Sequence, residues 1–181
     1  TNLKCAIDSL ARWGKATARK ADETVFERAG RHIEAQTLEC NLITDTALWP
    51  AHTELVTASA LLDLTSADWI TRIVNTLSAQ RLSFLATLNF DGRLQANPAH
   101  ELDDRVFEAF RKHQYTDKGF GAASGTDAAD VLEAALDSVG YAAISGDSPW
   151  RMTLDTQKLM HETLRGISEA AIDIGAVPER I

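Results

Sequence analysis

Apolar residues in this chain recur at two spacings, one suited to helices and one to strands. The helical spacing is clearest after Ser66, which stands as an N-cap before a stripe of Trp69, Ile70, Ile73, Val74 and Leu77. It returns over Leu102–Tyr115 through Val106, Phe107 and Phe110. A third helix, capped by Thr126 or Asp127, carries Val131, Leu132, Ala135, Leu136 and Val139 and stops at Gly140. A terminal helix opening at Asp155 aligns Leu159, Met160, Thr163, Leu164 and Ile167. Nearer the start, Asp22 is the expected N-cap of a helix with Val25, Phe26, Ala29 and Ile33 on one face. A helix through Leu10, Trp13 and Ala16 is interrupted by Gly14.

Strand-like runs alternate with these helices. Leu3–Ile7 is a short apolar run closed by Asp8, Thr37–Ile43 alternates, and Glu54–Leu62 is apolar and small, as in a central strand. Arg81–Phe90 has the best strand pattern, and Asp91-Gly92 closes it with a turn. Late in the chain, Tyr141–Ser145 and Asp147–Leu154 form two neighbouring candidates. Strand–helix alternation predicts an α/β fold, mostly parallel, with helices on both sheet faces. The late pair adds an antiparallel hairpin at one edge. With 181 residues, one domain spanning 1–181 is expected.

Composition narrows the function. Hydrophobic residues at 45% and charged residues at 24% describe a chain able to build a core. The net charge of −8, without a cationic cluster, argues against nucleic acid as a partner. No apolar stretch is long enough for a membrane span, so no membrane partner is expected and the reading is cytoplasmic. Cys5 and Cys40 share no short spacing, which points to two buried or idle thiols in a reducing compartment. Five histidines offer no HxxxH or HxH pair, so no metal is expected. Thr1 stands where a native start would have Met, so the chain is expected to begin inside a longer one.

The string Glu54-Leu-Val-Thr-Ala-Ser-Ala-Leu-Leu-Asp-Leu-Thr-Ser-Ala-Asp-Trp69 resembles the fourth-strand region of class I S-adenosylmethionine-dependent methyltransferases. Asn89-Phe-Asp-Gly92 is similar to the end of that family's fifth strand. Asp117-Lys-Gly-Phe-Gly121 and Ser148-Pro-Trp150 resemble elements of a bacterial branch of the family whose activity is uncharacterised. The resemblance covers Leu3 to Glu169, most densely Glu54 to Trp150. It implies a Rossmann-like sheet with S-adenosylmethionine at the carboxyl ends of the first four strands. Leu3–Ile7 would be the second strand, with Asp8 bonding the ribose hydroxyls. Asn41 and Leu42 would lie near the adenine edge. Thr57, Ala58 and Ser59 would flank the methionine portion. The family's first strand, with its Gly-rich turn, has no counterpart before Asp8 and is absent from this chain. Upstream residues are expected to supply it.

Methyl transfer from a sulfonium is an in-line displacement that depends on placement and needs a base only for a protonated nucleophile. No catalytic residue is therefore singled out. Asp63, Asn89, Asp91, His113 and Lys118 are candidates to line a pocket for a small acceptor. Three of them have a plainer role available: Asp63 as a loop acid near a helix cap, Asp91 as a turn former, and His113 as a solvated residue at a helix end. Trp69 and Trp150 read as packing residues. Ser59, His52 and Asp63 do not make a hydrolase triad, because no GxSxG elbow presents the serine. The expected function is an S-adenosylmethionine-dependent methyltransferase, with a catalytically inactive methyltransferase-like assembly or regulatory module as the alternative. A nicotinamide-dependent oxidoreductase ranks third. The oligomeric state is left open.

Overall fold

The computed structural model describes residues 2–16, 18–19, 22–46 and 48–177. They form an α/β protein built as two compact units, Thr1–Pro50 and Ala51–Ile181, where the composition suggested one domain.

The first unit corrects three sequence expectations. Leu3–Ile7 is not a strand; it opens helix α1, Asn2–Gly14, in which Asp8 is an interior residue. The reason is spacing: Ile7, Ala11 and Gly14 are all buried and fall on one helical face. The helix expected from Asp22 is instead a β-hairpin. After the short strand β1 (Ala18–Arg19), β2 (Glu23–Arg28) and β3 (Arg31–Gln36) pair antiparallel from Glu23↔Gln36 to Arg28↔Arg31. Ala29 and Gly30, at φ 50° and 71°, form the two-residue left-handed turn that matches strand twist. A helix here would have placed Gly30 in its interior, whereas Thr24, Val25 and Phe26 favour strands. Thr24 and Phe26 point inward and are buried. Asp22 caps no helix; its carbonyl accepts from Thr37 N–H at 2.8 Å and closes the hairpin's open end.

Thr37–Ile43 is irregular rather than extended. Asn41 Oδ1 accepts from Ile43 N–H at 2.9 Å, and Asn41 N–H donates to Asp45 Oδ2 at 2.7 Å. Such local side-chain bonds replace a strand ladder with a turn. Cys5 is exposed and Cys40 half-buried, both as free thiols.

The second unit contains the parallel element. Strands β4 (Leu55–Ser59) and β5 (Ser83–Thr87) pair in parallel from Leu55↔Ser83 to Ser59↔Thr87. Helix α2, Ala67–Gln80, connects them. Its N-cap and buried stripe are those read from the pattern: Ser66 Oγ accepts from Trp69 N–H at 3.2 Å, and all five stripe residues are buried. Helices α3 (Asp103–Gln114), α4 (Ala128–Ser138) and α5 (Gln157–Asp173) follow at the expected places. Helix α2 packs on α4 and α3 on α5, the latter around Ala109, Ala171 and Val177.

The late hairpin is a further correction. Tyr141–Ser145 and Asp147–Leu154 form no strand, and residues 142–151 are exposed. Pro149 lacks a donor, and Gly146, Asp147 and Ser148 are poor strand formers, so little favours pairing. Among the described residues, the antiparallel pairing lies at 18–36 instead. The expected broad parallel sheet is, among the described residues, a single parallel pair. Both strands alternate exposed and half-buried positions, unlike a central parallel strand covered on two faces.

Gly14 ends α1 against the Phe26 ring, and a Cβ there would overlap it. Gly14→Ala is expected to destabilise the first unit by about 1–3 kcal/mol, the usual range for overpacking. Urea denaturation followed at Trp13, whose ring stands edge-on to Phe26 at 5.8 Å, reads the change.

Candidate functional site

Strands β4 and β5 leave the sheet side by side. One step beyond the last register pair, Ala60 N–H donates to the Thr87 carbonyl at 3.0 Å. Ala60 and Leu88 are both left-handed, at φ 52° and 58°, so each chain bends at the same level. Such backbone at a non-glycine residue costs on the order of 1 kcal/mol or more, and it concentrates at functional sites.

The β4 exit enters a tight turn at Leu62–Leu64, held by Thr65 Oγ1 donating to the Leu62 carbonyl at 2.9 Å. Asp63 sits in this turn, 8% exposed, and its Oδ1 has no hydrogen-bond partner among the described residues. Burial pushes its carboxyl above the ordinary carboxylate range, partly opposed by a bond from its own backbone N–H.

The β5 exit carries Asn89, Phe90 and Asp91. Phe90 packs on Phe110 at 5.1 Å between ring centroids, while the buried Asn89 Oδ1 is unpartnered among the described residues. Asp91 is engaged: it accepts from Arg93 N–H at 2.9 Å and from Arg93 Nε at 2.6 Å. Partial burial raises the Asp91 carboxyl, but the Arg93 backbone bond, side-chain bond and charge together outweigh it and bring it down. Arg93 also donates to Asp147 at 2.6 Å, tethering the later exposed segment. Asp91 is therefore a turn and ion-pair residue.

The Gly-rich loop after α3 touches the chain beyond both exits. Asp117 Oδ1 accepts from Gly119 N–H at 2.6 Å and Gly121 N–H at 3.0 Å, which gives the loop its shape. Phe120 meets Trp69 edge-on at 5.6 Å, and Ser124 N–H donates to the Thr65 carbonyl at 2.7 Å. These contacts fasten the loop to the β4 side. On the β5 side, the Thr126 side chain lies against Gly92, and Arg111 Nη1 donates to the Gly92 carbonyl at 3.3 Å. Ser124, 8% exposed, carries a third buried polar atom without a partner among the described residues, its Oγ. A buried polar group without a partner costs about 1–3 kcal/mol, and few occur in a native domain. All three lie in segments gathered at one end of the parallel pair.

His113 and Lys118 are brought together at the end of α3. Lys118 Nζ lies 3.4 Å from both ring nitrogens, 3.2 Å from the His113 carbonyl and 2.5 Å from Thr116 Oγ1. Asp173 of α5 approaches the ring at 3.8 Å. Desolvation and then the Lys118 charge hold His113 below its ordinary value, with Asp173 pulling the other way. His113 is thus partly buried, its proton affinity held down by desolvation and the Lys118 charge.

The remaining candidates separate. Thr57 and Ser59 are exposed on β4, with Ala58 half-buried between them. Asp8, Asn41 and Leu42 belong to the first unit, in α1 and in the irregular turn. Ser124 was not singled out by sequence, where it reads as one small residue in a flexible loop. Only its burial distinguishes it. Two open depressions of about 440 and 480 Å³ occur elsewhere, along residues 38–46 and at the amino end of β5 beside residues 139–142; neither includes a member of the trio. Among the described residues, no group of three His, Cys, Asp or Glu side chains is arranged to hold a metal ion, and no helix is long and apolar enough to cross a membrane.

No protein-family model, curated protein or solved structure matches this chain.

Two titrations check these assignments. Because the Asp63 value is raised on folding, the folded state holds the proton more tightly than the unfolded state. Below the ordinary carboxylate range both states are protonated and Asp63 carries no penalty. As pH rises from that range through the raised folded value, the wild type is expected to lose stability relative to Asp63→Asn, and the gap then stays constant. Urea midpoints measured across that window test the sign. Separately, Lys118→Met is expected to raise the His113 value, read from its ring-proton NMR shift against pH.

Proposed function

We propose that this chain carries the carboxyl-terminal part of a class I S-adenosylmethionine-dependent methyltransferase acting on a small acceptor. The observation that carries the reading is the pair of buried, unpartnered acceptors, Asp63 Oδ1 and Asn89 Oδ1, just past the carboxyl ends of two parallel strands. Open α/β sheets bind ligands at that end. The similarity of Glu54–Trp69 and Asn89–Gly92 to the family's fourth and fifth strands supports it. On this reading β4 and β5 belong to a larger, mostly parallel Rossmann-like sheet.

The fit to the cofactor is partial. Thr57, Ala58 and Ser59 end β4 where the methionine portion would lie, and oxygen acceptors beyond it suit a cationic sulfonium. When bound, the cofactor supplies a methyl group activated for in-line displacement. The ribose-binding role assigned to Asp8 rests on a strand end that the fold does not have, since Asp8 lies within α1. Asn41 spends its Oδ1 on the Ile43 N–H. No contact to the cofactor is derived for Asp8, Asn41 or Leu42. The placement of Asp8 favours a second reading, a catalytically inactive module that keeps the methyltransferase architecture for assembly or regulation.

Isothermal titration of the full-length protein with S-adenosylhomocysteine separates the two. A saturable one-to-one heat in the micromolar range is expected. Absence of binding at millimolar ligand overturns the enzyme and leaves the module.

A further inference from the structure

We propose that the His113 ring is an acid-sensitive toggle at the carboxyl end of α3: neutral, it holds the Lys118 ammonium and with it the start of the Gly-rich loop; protonated, it repels Lys118 and pairs with Asp173 of α5. The toggle goes beyond the methyltransferase reading and does not depend on it.

The three groups lie within reach of one another. Lys118 Nζ stands 3.4 Å from both ring nitrogens, and it also donates to the His113 carbonyl at 3.2 Å and to Thr116 Oγ1 at 2.5 Å. These contacts fold the lysine back onto the end of α3. From α5, the helix packed on α3, Asp173 Oδ2 approaches His113 Nε2 at 3.8 Å. The ring is mostly enclosed at 22% exposure, whereas the Asp173 side chain, at 71%, has room to turn toward it. Arg111 and Lys112 of α3 pair with Glu108, and Glu169 of α5 pairs with Arg165. Lys118 and Asp173 are the charges that act on the ring.

The chemistry follows from the ring's two states. A neutral imidazole carries one N–H and one acceptor nitrogen. Because Lys118 Nζ is equidistant from both nitrogens, it can donate to whichever lacks the proton. An imidazolium has two donors and no acceptor, so that bond is lost and two cations face each other. Asp173 then gains a charge-assisted partner. Desolvation, and after it the Lys118 charge, hold the ring below its ordinary value, while Asp173 pulls it up. Release of Lys118 removes the second of these causes, so the released state binds the proton more tightly than the held state. As pH falls from the ordinary histidine value through the depressed one, protons drive the equilibrium toward release. Lys118 lies between Asp117 and Gly119, whose bond shapes the loop, and Phe120 of that loop meets Trp69. Release thus acts on the segment that touches the chain beyond the strand exits.

NMR of the full chain from about pH 7.5 to about pH 5, above the ordinary carboxylate range, tests the toggle. Cross-relaxation peaks between the His113 ring protons and the Lys118 ε-methylene are expected at the upper end. Along the ring's own titration they are expected to weaken at least about threefold, while the backbone order parameter of Lys118 and Gly119 falls from about 0.85 toward about 0.6. His113→Gln, which stays uncharged, is expected to keep that order throughout. Lys118→Met is expected to abolish the pH dependence of loop order. Asp173→Asn is expected to move release to lower pH, because the carboxylate that favours the charged ring is gone. Peaks that keep full strength once the ring is protonated overturn the toggle, and this wild-type measurement decides whatever the stability of the variants. Equal loss of order in His113→Gln, or a release midpoint that Asp173→Asn leaves in place, overturns it as well.

Discussion

The bond from Ala60 N–H to the Thr87 carbonyl extends the parallel pair one step beyond its last register position. It makes two chain exits coincide. Asp63 and Asn89 follow these two exits. The bends at Ala60 and Leu88 follow the paired strands directly, and the Gly-rich loop touches the chain beyond each. The loop is shaped by one carboxylate oxygen of Asp117 and anchored by Ser124 to Thr65, so its position follows from few, well-directed contacts. A short loop held to a two-stranded parallel step is what positions the candidate residues.

That arrangement opposes stability. Among the described residues, three buried polar oxygens lack partners where folding would favour apolar groups, and Ala60 and Leu88 hold left-handed backbone. Nearby polar side chains behave differently. Asp91, Arg93 and Asp147 form an exposed ion-pair set, and such surface pairs contribute little. Desolvation, and then the nearby Lys118 charge, depress the proton affinity of His113. Among the described residues, Asp63 Oδ1, Asn89 Oδ1 and Ser124 Oγ differ from these groups in having no hydrogen-bond partner.

The first unit shows how one stretch of residues supports two patterns. Val25, Phe26, Ala29 and Ile33 fall on one face of a hypothetical helix, yet Thr24 and Phe26 are also the inward pair of a strand. The decision came from contacts outside the window. Gly14 lets α1 approach the Phe26 ring, Trp13 meets that ring edge-on, and Arg28 lies 3.8 Å over Trp13. Helix and hairpin thus select each other. Likewise, the apolar run Leu3–Ile7 was short enough to suit a strand, and only the continuation of its burial at Ala11 and Gly14 shows a helix.

Local pattern carried most of the second unit. Ser66 with its five-residue stripe, the strand over Ser83–Thr87, and the helices α3, α4 and α5 were legible because period, cap and propensity agreed there. Asp63 and Asn89 were legible as candidates because they follow strands in an α/β order. What tertiary structure alone decided was burial and partnership: that Asp91 is engaged by Arg93, that Ser124 is enclosed, and that two strand exits lie abreast. Periodicity reports which face a residue takes within its own element. Whether a polar atom finds a partner depends on segments dozens of residues away, and no local spacing encodes that.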